Sequence, residues 1–149
     1  DAMPQHPGIY DSLFTCVGVA PNHYELTFPE TAVFYFYMQD GGHMYLEGGN
    51  VWADCYHGFM HRMFRVISAY TGEGDTEYLN GLEDSPTEHM TLHYTGENES
   101  MDRLIPGAGI GQSVPLFRNL SPRYFNAFSN ISDKNRTIAV SFEFAGLEP

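Results

Sequence analysis

The sequence predicts an all-β chain built as an antiparallel sandwich, and three observations carry that expectation. Aromatic residues make up 15% of the chain, a composition that suits pleated, half-buried strands. The 15 glycines and 9 prolines are spread throughout, and turn residues interrupt the chain at the intervals of hairpin-linked strands. Helix signals are sparse. At 149 residues the chain can bury a core without disulfides, so residues 1–149 are expected to form one domain.

Residues 24–28 and 43–46 are short strand candidates. Residues 32–38 make the clearest strand, because all seven are apolar or aromatic and Gln39, Asp40, Gly41 and Gly42 end the run. Apolar residues on both faces imply cover on both sides, by a second sheet or a neighbouring chain. Asn50 is placed to cap one short helix near residues 51–57, stopped near Gly58. Residues 59–70 alternate as a strand, with Phe59, His61, Met63, Arg65 and Ile67 on one face. Residues 87–94 alternate too, Met90, Leu92 and Tyr94 lying opposite His89, Thr91 and His93. Residues 111–117 and 137–144 complete the set, and Ile138, Val140, Phe142 and Phe144 share a face of the last. No internal repeat appears.

Charge narrows the function. Nineteen Asp and Glu face seven Lys and Arg, for a net charge of −12, and no Lys or Arg precedes Arg62. Unaided binding to a nucleic-acid backbone or an anionic membrane is disfavoured, since both need clustered cations. No apolar run approaches the roughly 20 residues of a membrane helix. The start has neither the basic nor the apolar region of a signal peptide, and without an initial Met it reads as a processed product. Acids concentrate in residues 73–102, within which residues 71–87 read as a solvated acidic loop region.

Catalytic and metal motifs are weak. His57 with His61, and His89 with His93, are four apart, which suits zinc on a helix. On the strands expected here those pairs are roughly 13 Å apart and share no ion; only a cross-strand pair such as His61 with His93 could. Asp75, Glu77, Glu83 and Asp84 cluster without the EF-hand spacing of a calcium loop. Gly107, Gly109 and Gly111 lack the strand–helix frame of a dinucleotide site. There is no G-x-S-x-G elbow, and Cys16 and Cys55 carry no motif, bridged or not. The expectation is no enzyme, no metal and no cofactor. Four N-x-[ST] sequons, at Asn98, Asn119, Asn130 and Asn135, exceed what composition predicts and read either as glycan acceptors or as a loop-rich accident.

Two stretches carry a resemblance. In residues 52–66, a short helix followed by Tyr56, Gly58, Met60 and Arg62 is similar to the aromatic-x-Gly-x-Met-x-Arg strand of picorna-like virus capsid proteins. Val114-Pro115 with Phe117, then Ser121-Pro122-Arg123-Tyr124, resembles a later passage of the same family. The matched stretches cover about 30 residues, and their order and spacing carry most of the weight. The resemblance implies a jelly-roll sandwich, complete or missing a strand, that tiles an icosahedral shell as a structural protein. Trp52, Phe59, Met63, Phe64, Arg62, Pro115, Phe117 and Tyr124 would be its packing and interface residues. Its partners would be other capsid chains, with the viral RNA met only indirectly and no membrane, and its location the virion, assembled in the host cytoplasm.

Two other readings compete. One is a secreted or cell-surface β-sandwich that binds glycans or other ligands, with Trp52 as a sugar contact. The other is a small β-barrel or cupin-like enzyme, for which the G-x5-H-x-H core of a cupin is absent.

Overall fold

In the computed structural model, which describes residues 7–54, 57–70, 72, 75–98, 101–109 and 111–148, the chain is mostly β with few helices. After a 3-10 turn at Pro7–Ile9 come β1 (Ser12–Cys16), α1 (Phe28–Gln39), β2 (His43–Glu47), α2 (Val51–Asp54) and α3 (His57–Phe64). Then follow β3 (Val66–Tyr70), β4 (Tyr78–Gly81), β5 (Thr91–Tyr94) and β6 (Arg103–Pro106). The chain continues through β7 (Gln112–Leu120), β8 (Arg123–Ile131), β9 (Arg136–Val140), a 3-10 turn at Phe144–Gly146, and β10 (Leu147–Glu148). The strands form one curled mixed sheet in the order β1-β2-β9-β8-β7-β4-β5-β10, and β6 links β3 to β8.

The sheet is not an antiparallel jelly roll. β1 pairs with β2, and β2 with β9, in parallel. Parallel neighbours need a crossover, and α1 supplies it between β1 and β2.

The strand expected at residues 32–38 lies inside α1. The Thr27 backbone N–H and hydroxyl both donate to the Glu30 carboxylate, at 2.8 and 2.6 Å, with Pro29 in the first turn. This capping-box start commits the chain to a helix before the aromatic run begins. Thr31, Phe34, Tyr37 and Met38 then bury one helical face, while Val33 and Phe36 stay exposed. An all-apolar run looks alike as a buried strand or a helix, and here the cap decides.

Residues 59–70 also divide. The segment to Phe64 is α3, and only Val66–Tyr70 is a strand. Arg65, at φ 53, takes the left-handed position that ends a helix, and its guanidinium donates to the carbonyls of Gly107 and Gly111. Of the helix expected near residues 51–57, α2 covers Val51–Asp54; residues 55 and 56 lie outside the described residues, and α3 runs through Gly58. Residues 24–28 form no strand, residues 43–46 become β2, and residues 87–94 shorten to β5. Residues 111–117 lengthen into β7, and residues 137–144 keep only β9 as strand before the second 3-10 turn. The acidic stretch at residues 71–87 contains β4 and is therefore more than a loop.

Alternation along β8 and β9 divides the core between two faces. Phe128 and Ala139 join α1 and α3 around Met38, Leu46, Trp52, Met60 and Phe64. Ala127 and Val140 point the other way, into a cluster with Leu79, Tyr94, Met101, Phe117 and Phe142. That second cluster covers only part of its face, and the uncovered part holds the candidate site.

Candidate functional site

Outward-pointing residues of β1, β2 and β9 line up in register. Phe14 lies opposite Tyr45, and Tyr45 opposite Ile138. Phe14 is 79% exposed and Ile138 38%, so the row is largely uncovered. The Phe14 and Tyr45 rings sit 5.6 Å apart at 32°, forming one tilted aromatic surface. The Tyr45 hydroxyl donates to Glu47 at 2.6 Å, which fixes the ring from its far end. Burial, reinforced by that carboxylate, raises the phenol far above its ordinary pKa, so it stays a donor.

Polar groups edge this surface. A shallow cleft of about 180 Å³ runs over Ser12, Phe14, Tyr45, Arg136 and Ile138 to His43. A second cleft, of about 460 Å³, continues from His43 past Tyr10, Asp11, Tyr37 and Asp40. His43 lines both clefts. Its backbone N–H donates to the Asp11 carbonyl at 3.0 Å, and its carbonyl accepts the Tyr37 hydroxyl at 3.1 Å. The Arg136 backbone N–H donates to His43 Nδ1 at 3.0 Å, which leaves the neutral ring's proton on Nε2. The turn into β2 is tight: a Cβ at Gly42 would meet the Tyr37 ring at 2.2 Å. Rigid aromatics with a few oriented polar groups at their rim suit a ligand with an apolar face and hydroxyl edges.

The carboxyl ends of the parallel strands, a frequent ligand position in sheets of this kind, are closed instead. Glu47 is buried and accepts both the Tyr45 hydroxyl and the Phe144 N–H. Glu143 accepts the Tyr94 hydroxyl and, at 2.7 Å, the Glu97 N–H. Beside them the Cys16 thiol is pushed up to about 11 by burial and by Glu47, so it is no thiolate nucleophile at neutral pH.

The residues singled out from the sequence lie elsewhere. Trp52, Met63, Phe64, Phe117 and Tyr124 are buried, Phe59 and Pro115 are half-buried, and Arg62 is exposed. Trp52 donates Nε1–H to the Val140 carbonyl at 2.9 Å and packs edge-on against Phe64, which rules it out as a sugar contact. Phe59 stacks between α1 and α3, 4.8 Å from Tyr35 and 5.6 Å from Phe28. The Tyr124 hydroxyl donates to Asp75, which also pairs with Arg103 at 2.9 Å.

His61 rests on α3 with Nε2 3.0 Å from the Trp52 carbonyl, whereas His93 faces Tyr78 and Glu148 across β5. Nothing is described of the His57 side chain, and Cys55 lies outside the described residues. Among the described residues no three His, Cys, Asp or Glu side chains converge on a metal position.

The sequons are corrected by burial. Asn98, Asn119, Asn130 and Asn135 are all buried, and each Nδ2 donates to backbone carbonyls. A glycan would have to replace a hydrogen on that same atom. Two of them close helices: Asn130 donates to Met63 at the end of α3, and Asn135 to Met38 at the end of α1, at 2.8 and 2.7 Å. Helix ends leave such carbonyls without partners, and here β8 and the turn that follows it supply the donors.

No protein-family model matches the sequence, and comparison with curated proteins finds no match. Solved structures do share the fold. Gan42B, a GH42 β-galactosidase from G. stearothermophilus, superposes with TM-score 0.69 at 11% identity over 97% of this chain and 20% of its own. A catalytic mutant of the same enzyme gives 0.65 at 11% identity, over 95% of this chain and 20% of its own. The cold-adapted β-galactosidase from Rahnella sp. R3 gives 0.63 at 10% identity, over 89% of this chain and 20% of its own. The chain therefore spans about a fifth of these neighbours' length.

These neighbours overturn the capsid reading, and with it the shell partners, the indirect RNA contact and the virion location. The local geometry agrees. Gly58, Met60 and Arg62 lie on α3, where the capsid pattern needs a strand, and the β1-β2-β9 pairing is parallel. A fold shared with a fifth of a cellular glycosidase stands in its place.

Proposed function

We propose that this chain is a non-catalytic carbohydrate-binding module that seats a neutral saccharide in the groove from Tyr10 to Ile138. The observation that carries this reading is the exposed Phe14–Tyr45 surface, rimmed by His43, Arg136 and Asp11. A pyranose presents an apolar face to an aromatic ring and hydroxyl edges to donors and acceptors, and this groove offers both. The shared fold with a segment of β-galactosidases supports a glycan-related role and makes galactosides the first ligands to try.

The non-catalytic part is supported by Glu47 and Glu143, whose oxygens hold tyrosine hydroxyls and backbone N–H groups. Glycoside hydrolysis needs two carboxyls flanking a scissile bond. Isothermal titration with lactose and β-galactan oligomers tests the reading. Binding at this groove is expected in the wild type and weakened by about tenfold or more in Phe14→Ala with an unchanged circular dichroism spectrum; a groove site of undiminished affinity in that variant would sink the assignment. Turnover of a chromogenic β-galactoside that disappears in Glu47→Gln would overturn the non-catalytic assignment.

A further inference from the structure

A second polar cleft lies toward the other end of the sheet. Asn80 on β4 and Arg118 on β7 are cross-strand partners. Arg118 Nε and Asn80 Nδ2 are both out of solvent without an acceptor. Among the described residues the Arg118 side chain makes no hydrogen bond or ion pair, in a chain with 19 acids to neutralise 7 Lys and Arg. Arg103 also has a buried Nε without an acceptor, but its Nη2 pairs with Asp75 and its guanidinium covers the Tyr124 ring, and Arg65 holds the Gly107 and Gly111 carbonyls. Buried donors normally find acceptors, so two adjacent ones without them mark a place for an oxygen-bearing ligand.

The surroundings define that ligand. A cleft of about 400 Å³, within the range of small-molecule sites, is lined by Asn80 and Arg118 with Glu83, Glu88, Thr91 and Leu120. The Thr91 hydroxyl donates to Asn80 Oδ1 at 3.4 Å, which orients the amide with Nδ2 as the remaining donor. Glu88 is engaged by His89 and by the Asp84 N–H, both at 3.3 Å, leaving Glu83 as the open acceptor. A free anion would satisfy Arg118 but face two carboxylates in the same walls. A hydroxyl group suits this mixed lining better, since it can accept from the amide and guanidinium donors and give its hydrogen to Glu83.

We infer that the Asn80–Arg118 cleft is a second saccharide site, taking adjacent hydroxyls of a neutral sugar. The inference rests on the carbohydrate-binding reading and deepens it: two sites on one sheet would hold a polysaccharide by avidity.

Lactose titration of the full chain tests it, with Phe14→Ala, Arg118→Gln and exposed Glu83→Ala, each checked for fold by circular dichroism. Two sites per chain are expected in the wild type. The site left in Phe14→Ala should weaken by about tenfold or more when Arg118→Gln or Glu83→Ala is added. One site, lost in Phe14→Ala and untouched by Arg118→Gln, would overturn the second site and leave the first standing. No lactose bound by the wild type would overturn the carbohydrate reading itself. Acetate or inorganic phosphate competing for the Arg118 site in place of lactose would overturn the ligand class.

Discussion

On β2 and β9 successive residues meet opposite fates. Met44, Leu46 and Ala139 are buried in the core shared with α1 and α3. Tyr45 and Ile138, one residue away on the same strands, face a groove, and Phe14 beside them on β1 is almost fully exposed. Both faces are apolar, but only one is covered. Burial of the covered face accounts for its hydrophobicity through stability. The open face has no such account, since exposed apolar surface of this kind stabilises nothing within the chain. The difference is that folding accounts for Met44, Leu46 and Ala139, whereas Phe14 at 79% exposure is left for the proposed saccharide site to account for.

The largest effect should come from breaking the covered face. Trp52 is fully buried, and Trp52→Ala removes its packing on Phe64 and its bond to the Val140 carbonyl. A cost of about 3–5 kcal/mol is expected, read as a fall in the urea midpoint. A loss under about 1 kcal/mol would show that this core is not where stability resides.

Next come the asparagines that join the two layers. Asn130 and Thr137 are cross-strand partners, and both donate to the Met63 carbonyl at the end of α3. Asn130→Ala leaves that carbonyl only the longer 3.3 Å bond from Thr137 and opens a small void, for a cost of about 1–3 kcal/mol by denaturant unfolding. Expression in a glycosylating host should add no mass at Asn98, Asn119, Asn130 or Asn135 of the folded chain, because each Nδ2 is already bound. A glycopeptide from any of them would contradict the burial.

How much of this was legible follows from where local and tertiary signals agree. Composition pointed to a mostly β chain because aromatic and turn residues act locally. It missed α1, although Thr27 and Glu30 are the S/T-x-x-E signature, since the aromatic run after them has strand propensity and weighed more. It missed β8 because Asn126 and Asn130 look like turn residues, and only carbonyls brought in by α3 explain a buried Asn130. The groove was less legible still. Nothing local in residues 12–16 says that Phe14 points away from the core, because the parity of an edge strand is set by its partner. The Asn80–Arg118 pairing likewise depends on register between segments nearly forty residues apart.

Phe14→Ala sharpens the comparison from the open side. Stability should change by no more than about 0.5 kcal/mol, the range for surface positions, while saccharide affinity falls by about tenfold or more as the stacking surface is halved. Thermal unfolding and titration of the same sample read both quantities. A clear drop in melting temperature would mean that Phe14 packs in solution and that the two faces differ less than the exposures state.

The smallest effect probes the helix that does the covering. Glu30 accepts from the Thr27 N–H, the Thr27 hydroxyl and the Tyr24 hydroxyl, and these bonds, that to the Thr27 side chain first, hold its carboxyl below the usual glutamate range. A depressed folded pKa means the folded state binds its proton less readily than the unfolded one. The contribution is therefore fully present above the unfolded pKa of about 4.3 and is lost as pH falls through the lower folded value. Glu30 is only half-buried, so screening keeps the term small, and Glu30→Gln retains a capping partner; about 0.5 kcal/mol at pH 7 is the expected loss. Urea unfolding of wild type and variant at pH 7 and pH 3 should show that gap narrowing at the acid end. A gap that widens on acidification would place the Glu30 proton on the folded state and remove the capping box as the device that sets α1 over the covered face.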